Sequence, residues 1–100
     1  MTHPAVIAEV RNPGGRLVRL LAATWDHVLD AHPGTRHLDQ LMQTIARPDH
    51  REEDPRPGRE RYFRRGGPER WIRVVSEFAG PHDVVITAFP QSNDPARPQP

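Results

Sequence analysis

The chain has 100 residues and a mass of 11.4 kDa, which fits one small domain with a thin hydrophobic core. It has no cysteine, which excludes disulfides and thiolate metal sites, and no apolar run approaches the roughly 18–20 residues of a membrane span. The first residues lack the basic-then-apolar pattern of a signal peptide, so we expect a cytoplasmic protein.

The basic residues of the chain are all arginine, 14 in number, and the net charge of +1 argues against a generic polyanion-binding protein. Seven of these arginines lie from Arg56 to Arg73, against two glutamates, which gives this stretch a local charge of +5. Arginines on strands can present flat, bidentate donors to phosphate. A run of charges is more often a solvated face, and arginine in place of lysine also fits a G+C-rich genome.

The first half of the chain predicts a β-hairpin followed by two helices. Two short alternating runs flank a turn of Asn, Pro and Gly. Two segments with apolar residues at helical spacing follow, each after a threonine that can cap it and before a proline. On the first helix His32 lies on the apolar face, whereas His27 points nearly opposite. The predicted bounds are 5–10 and 16–20 for the hairpin strands and 24–32 and 35–47 for the helices, with Thr24 and Thr35 as caps.

The second half predicts a Pro-rich, charged loop over 49–58 and three strands at 59–65, 70–78 and 83–89. The predicted order is ββααβββ, an α+β domain in which two helices pack against an antiparallel sheet of four to six strands. The domain is expected to span residues 5–90. Residues 91–100, rich in proline and without a large apolar side chain, are expected to form an unstructured tail.

Strand alternation predicts which side chains face the core. In the strand 70–78 the apolar set is Ile72, Val74, Ser76 and Phe78, and in the last strand it is Val84, Ile86 and Ala88. The alternate positions lie on the other face of the sheet. There Arg73 and Thr87 can lie beside Arg61, which would place two guanidinium groups and a hydroxyl on rigid strands.

Few classes of chemistry are compatible with this sequence. Nucleotide-binding motifs and a serine triad are absent, and His27 and His32 do not have the i, i+4 spacing of a zinc-binding helix. We therefore expect neither a metal nor a cofactor. Acid–base chemistry by imidazole and anion stabilisation by arginine suit RNA cleavage, in which the 2′-OH attacks the adjacent phosphorus.

Several motifs, in order, resemble those of a nuclease group. They are Thr24-Trp25-Asp26-His27-Val28 with Ala31-His32-Pro33, Thr44-Ile45-Ala46-Arg47-Pro48-Asp49, Arg61-Tyr62-Phe63-Arg64-Arg65, Trp71-Ile72-Arg73-Val74-Val75 and Val84-Val85-Ile86-Thr87-Ala88-Phe89-Pro90. Over roughly residues 5–90 the chain resembles the barnase–EndoU–colicin–RelE-like (BECR-type) nucleases, specifically the phage-associated PBECR group. The resemblance implies a metal-independent ribonuclease with helices on one side of the sheet and a substrate cleft on the other.

The resemblance also implies site residues. These are a helix histidine, a strand Arg or Lys, and a Ser or Thr on the last strand. Carried onto this sequence, they are His27, with His32 as the second candidate, Arg61 or Arg73, and Thr87. Arg59, Arg64 and Tyr62 are candidates for substrate binding, and Tyr62 could instead be a core residue.

Three functional hypotheses follow. The first is a toxin-like or phage-associated ribonuclease with His27 as general acid or base. RNA, with tRNA as one candidate, is the expected partner, and a neutralising protein is a second candidate. The alternative is a non-catalytic module that binds RNA or protein through the same arginine face, and the third is a structural domain. An exposed arginine face with a histidine in reach favours the enzyme, and a buried His27 favours the others.

Overall fold

The computed structural model describes residues 5–32, 37–67 and 70–96. The described chain forms an α+β fold with two helices and one six-stranded sheet, in the order ββααββββ. The strands are β1 (Val6–Arg11), β2 (Leu17–Leu21), β3 (His50–Glu53), β4 (Arg59–Gly67), β5 (Arg70–Ala79) and β6 (His82–Gln91), and the helices are α1 (Ala22–Ala31) and α2 (Leu38–Ala46). The α+β class and the two helices are as predicted.

The sheet is mixed rather than antiparallel, which corrects the prediction. Its strand order is β1-β2-β6-β5-β4-β3, and four of the five neighbouring pairs are antiparallel. β2 and β6 run parallel and pair only at Val18 with Asp83 and at Arg19 with Val84. The two helices connect β2 to the rest of the sheet, which is the kind of crossover that a parallel pair requires.

β3 is the strand that the predicted order lacks. It lies inside the segment predicted as a loop and pairs with β4 from His50 opposite Phe63 to Glu53 opposite Glu60. Its sequence, His-Arg-Glu-Glu, shows no alternation of apolar and polar residues. Cross-strand charge stabilises the pairing instead, since Arg51 Nε lies 2.6 Å from Glu60 Oε1.

The N-terminal hairpin turn is as predicted, whereas the helix caps are not. Gly15 adopts a φ of 87°, which glycine allows at no steric cost, and its N–H donates to the Asn12 carbonyl at 2.9 Å. α1 begins at Ala22, two residues before the predicted cap at Thr24, and has no side-chain cap. The other predicted cap, Thr35, lies outside the described residues.

The hydrophobic core lies between one face of the sheet and the helices. α1 packs on β2 and β6, and α2 on β1, β4 and β5. The core residues are Val18, Leu20, Val28, Leu41, Ile45, Tyr62, Ile72, Val74, Val85 and Ala88. The strand side chains that alternate with these point to the opposite side of the sheet, which we call the open face.

A β-bulge in β6 changes the predicted face of two residues. Val75 pairs with Thr87 and Ser76 with Val85, so Ile86 is an extra residue in β6. In the part of β6 that precedes the bulge, the alternation of core and open-face side chains is shifted by one position. Val85, rather than the predicted Val84, therefore lies in the core, and it is 1% exposed. Phe78, also predicted in the core, is 60% exposed.

The C-terminal strand extends further than expected. Gln91 is the last residue of β6 and pairs with Trp71, although the sequence predicts that the tail begins at this residue. Residues 92–96 form bends and a turn, and the four that follow lie outside the described residues. Within the described ranges, neither helix is long and apolar enough to cross a membrane.

Candidate functional site

Arg73 lies near the middle of the open face, between two aromatic rings on neighbouring strands. The β-sheet register places it opposite Phe63 of β4 and Phe89 of β6. Its guanidinium carbon lies 5.7 Å from the centre of the Phe63 ring and 5.0 Å from that of Phe89. The His50 ring lies 5.6 Å from Phe63, and the His32 ring 5.5 Å from Phe89. We call these five residues the Arg73 row.

The Arg73 side chain is half-buried and forms no ion pair with any of the described residues. Its Nε is buried without a hydrogen-bond partner among the described residues, and none of the ion pairs found there includes Arg73. Burial, and then the nearby Arg61 guanidinium, lower the pKa of Arg73, whereas Asp54 and Glu52 act in the opposite direction. The surroundings therefore disfavour a further cation and favour an incoming anion.

The other predicted arginines of the open face are already paired. Arg61 Nε lies 2.8 Å from Asp54 Oδ2, and Arg59 Nε lies 3.1 Å from Glu77 Oε1. Both pairs are partly buried, and the side chains of Arg61 and Asp54 are only 23% and 10% exposed. An anion on the open face would therefore have to displace Asp54 to reach Arg61, whereas Arg73 has no ion-pair partner among the described residues.

Thr87 lies on the same face, as strand alternation predicted. It pairs with Val75 of β5, which pairs in turn with Arg61 of β4. Directly paired residues in a sheet point to the same side, so Arg61, Arg73 and Thr87 share the open face. The structure therefore brings together three of the five residues predicted to be catalytic.

The two candidate histidines differ in their position relative to this cluster. His27 is exposed on α1, in a shallow depression that it shares with Asp26, Leu29 and Asp30. Within the described ranges, His27 forms no hydrogen bond, ion pair or ring contact with a residue of the open face. His32 is half-buried at the C-cap of α1, and its ring contacts Phe89. His32 is therefore the histidine of α1 that lies in the Arg73 row.

Tyr62 and Arg64, two of the three residues predicted to bind substrate, do not lie on the open face. Tyr62 is 0% exposed in the core, the alternative that the sequence leaves open. Arg64 Nη1 donates to the Arg47 carbonyl at 2.5 Å, next to α2. Because successive residues of a strand point to opposite sides, Phe63 between them is the one on the open face.

Two members of the Arg73 row, His50 and Phe63, were not predicted from the sequence. The sequence predicts His50 in a loop, so its pairing with β4 could not be anticipated. Phe63 could have been found, because it alternates with Arg61 and Arg65 along a predicted strand. Phe63 is 1% exposed, so it supports the Arg73 side chain and offers no surface to a ligand.

A second polar cluster lies on the helix side of the sheet, around the Tyr62 hydroxyl. This hydroxyl donates to Glu60 Oε2 at 3.0 Å and accepts from Asn12 Nδ2 at 3.0 Å. Burial is the main cause that raises the pKa of Tyr62 above its ordinary value of 10. The cluster satisfies the buried polar groups of Asn12 and Tyr62 and joins the N-terminal hairpin to β4.

The residues of the described part contain no group of His, Asp and Glu placed to hold a metal ion. No family model, no curated protein and no solved structure matches this chain.

Proposed function

We propose that the protein binds RNA on the open face, with a backbone phosphate held by Arg73 and Arg61. The observation that carries the proposal is the half-buried Arg73 guanidinium, which has no carboxylate partner among the described residues. A guanidinium matches two phosphate oxygens at once, and such charge-assisted bonds are among the stronger hydrogen bonds in proteins. A phosphate would also offset the unfavourable proximity of Arg61.

The surroundings of Arg73 favour a nucleic acid over a small inorganic anion. The open face also carries Arg65 and Trp71, which lie opposite each other on β4 and β5. Basic groups with interleaved aromatic rings are typical of surfaces that follow a nucleic-acid backbone and contact its bases. The local charge of +5 over 56–73 is concentrated on these strands.

The test compares Arg73→Ala with Arg64→Ala, a matched arginine on the opposite side of the sheet. Kd for a labelled RNA oligonucleotide is measured by fluorescence anisotropy at several salt concentrations. Loss of one phosphate contact should lower the log–log salt slope by roughly 0.7 for Arg73→Ala. Arg64→Ala should change neither Kd nor the slope. Equal effects of the two variants, or binding of a protein but not of RNA, would refute the proposal.

A second candidate function is RNA cleavage at the same site, favoured by the contact of His32 with Phe89 in the Arg73 row. The 2′-OH would attack the adjacent phosphorus and the 5′-oxygen of the next nucleotide would leave, which yields a 2′,3′-cyclic phosphate. His32 would carry one of the two proton transfers, and Arg73 would stabilise the charge of the phosphorane. The resemblance to BECR-type nucleases implies the same reaction, with His27 first and His32 as the second candidate.

Cleavage is tested by incubating the purified protein with total RNA and tRNA in EDTA, with the products read on a gel. His32→Ala should slow cleavage by roughly 10²–10⁴-fold, the usual contribution of a general acid or base. His27→Ala is the matched control on the same helix. Loss of cleavage with His27→Ala alone would return the role to His27, and intact RNA with the wild-type protein would exclude the reaction for these substrates.

A further inference from the structure

Trp71 lies on the open face of β5, two residues before Arg73. Two residues along a strand span roughly 6.6 Å, which is on the scale of one nucleotide of an extended RNA strand. Trp71 is half-buried, and the guanidinium carbon of Arg65 lies 5.7 Å from the centre of its ring. This cation–π contact helps to hold the ring in one orientation.

The other two aromatic side chains of the open face are less suited to contact a base. Phe63 is 1% exposed. The Phe89 ring has two groups against it, His32 and Arg73, whereas the Trp71 ring has one, Arg65. Within the described ranges, Trp71 is thus the open-face aromatic best placed to accept a further planar group. An indole is large, and every nucleobase has a π-face that can stack on it.

We propose that Trp71 stacks an unpaired base of a single-stranded RNA whose phosphate is held by Arg73, so that the strand follows β5. This inference rests on the proposed function, since it assumes that Arg73 binds a backbone phosphate. Within a duplex each base is already paired and stacked, and its face is not accessible to a side chain. The protein therefore selects single-stranded over double-stranded RNA.

The first experiment compares a labelled 12-nucleotide oligouridylate with a 12-base-pair RNA duplex in anisotropy titrations. Trp71→Ala should raise Kd for the oligouridylate by roughly 5- to 150-fold, the range measured when stacking aromatics are replaced by alanine. Trp71→Phe keeps a stacking ring and should retain most of the affinity, which separates a stacking role from a folding defect. Kd for the duplex should be weaker than for the single strand and insensitive to either substitution.

The second experiment observes Trp71 directly. The chain has two tryptophans, so Trp25→Phe leaves Trp71 as the single indole fluorophore. Trp25 packs against the core cluster, and an unchanged melting temperature confirms that the variant is folded. Addition of the oligouridylate should quench the emission of Trp71, whereas the duplex should not.

The outcomes separate this inference from the proposed function. If Arg73→Ala weakens oligouridylate binding but Trp71→Ala does not, the stacking role is wrong and RNA binding by Arg73 stands. The stacking role is equally wrong if the duplex binds as tightly as the single strand, or if emission of Trp71 stays constant at saturation. If the wild-type protein binds neither RNA, both proposals fail.

Discussion

The Arg73 guanidinium lies 5.0 Å from the centre of the Phe89 ring, while its own Nε has no hydrogen-bond partner among the described residues. The ring attracts the cation but does not accept a full hydrogen bond from it. Packing therefore holds the Arg73 side chain in place, but its Nε lacks a hydrogen-bond acceptor among the described residues. An unsatisfied buried donor lowers stability, which is common at sites where a ligand supplies the missing partner.

We expect Arg73→Met to keep or raise the melting temperature while it abolishes the phosphate contact. Removal of an unsatisfied donor is worth about 1–3 kcal/mol, against about 0.5–1 kcal/mol for each of the two lost cation–π contacts. Thermal unfolding followed by circular dichroism and RNA anisotropy on the same preparation check both effects. A fall of the melting temperature by more than about 5 °C would show that Arg73 serves the fold.

We expect Asp54→Asn to strengthen RNA binding. The substitution releases Arg61 from the ion pair with Asp54, so a second guanidinium becomes available to phosphate. The log–log salt slope should then steepen by roughly 0.7 for one additional contact with a single strand. Asp26→Asn, on the exposed side of α1, makes the same change in net charge and is the matched control. An equal gain in affinity with Asp26→Asn would assign the effect to net charge alone.

Because the pKa of the Asp54 carboxyl is lowered in the folded protein, we also expect a loss of stability in acid. The Arg56 backbone N–H, and then the Arg61 guanidinium, lower its pKa below the ordinary value of 3.8. The stabilisation is therefore fully present above this ordinary value and is lost as the pH falls through the lowered pKa of the folded state. The difference in melting temperature between the wild type and Asp54→Asn should shrink toward zero as the pH is lowered from 7 to about 2. A constant difference over this range would contradict the role given to the carboxylate.

Tyr62 predicts a loss of stability in alkali. Burial raises its pKa above 10, so the stabilising effect of the neutral phenol is complete below pH 10 and is lost as the pH rises through the higher folded pKa. The chain has one tyrosine, so phenolate absorbance at ~295 nm reports this group alone. We expect a midpoint above 10 in the folded protein and near 10 in urea. Equal midpoints would show that the hydroxyl is not buried.

Tyr62→Phe tests which face of the sheet binds RNA. The substitution leaves Asn12 Nδ2 and Glu60 Oε2 without the hydroxyl, so we expect a loss of about 1–3 kcal/mol in the free energy of unfolding measured with urea. RNA binding at temperatures where the protein is folded should not change, because the hydroxyl lies on the helix side. A selective loss of RNA binding would place the ligand on that side.

Much of the open face could be predicted from local sequence patterns. The alternation in 70–78 correctly places Ile72 and Val74 in the core and Arg73 opposite them, because a continuous strand fixes the side of every second residue. The same rule applied to β4 would have moved Tyr62 to the core. Thr87 is placed correctly because it lies after the bulge, where the alternation is undisturbed.

The failures have physical causes that local patterns do not contain. The bulge at Ile86 shifts the alternation of β6 and depends on pairing with β5. β3 forms from polar residues because its partner strand supplies an oppositely charged side chain. The place of His32 beside Phe89 depends on how α1 packs against β6, which helical periodicity cannot give.

The single parallel contact of the sheet has a consequence for folding and local opening. Strands β3 to β6 follow one another as neighbours, so residues 50–91 can form through successive short-range hairpins. The N-terminal hairpin joins this unit through two residue pairs of β2, through the Asn12–Tyr62 hydrogen bond and through the Arg16–Asp83 ion pair, whose members are 67 residues apart in sequence. Its recruitment requires closure of a long loop, and its backbone amides should exchange with deuterium before those of β4 and β5. The unit formed by β3 to β6 contains Phe63, Arg73 and Phe89. Transient detachment of the N-terminal hairpin therefore leaves these three side chains in register.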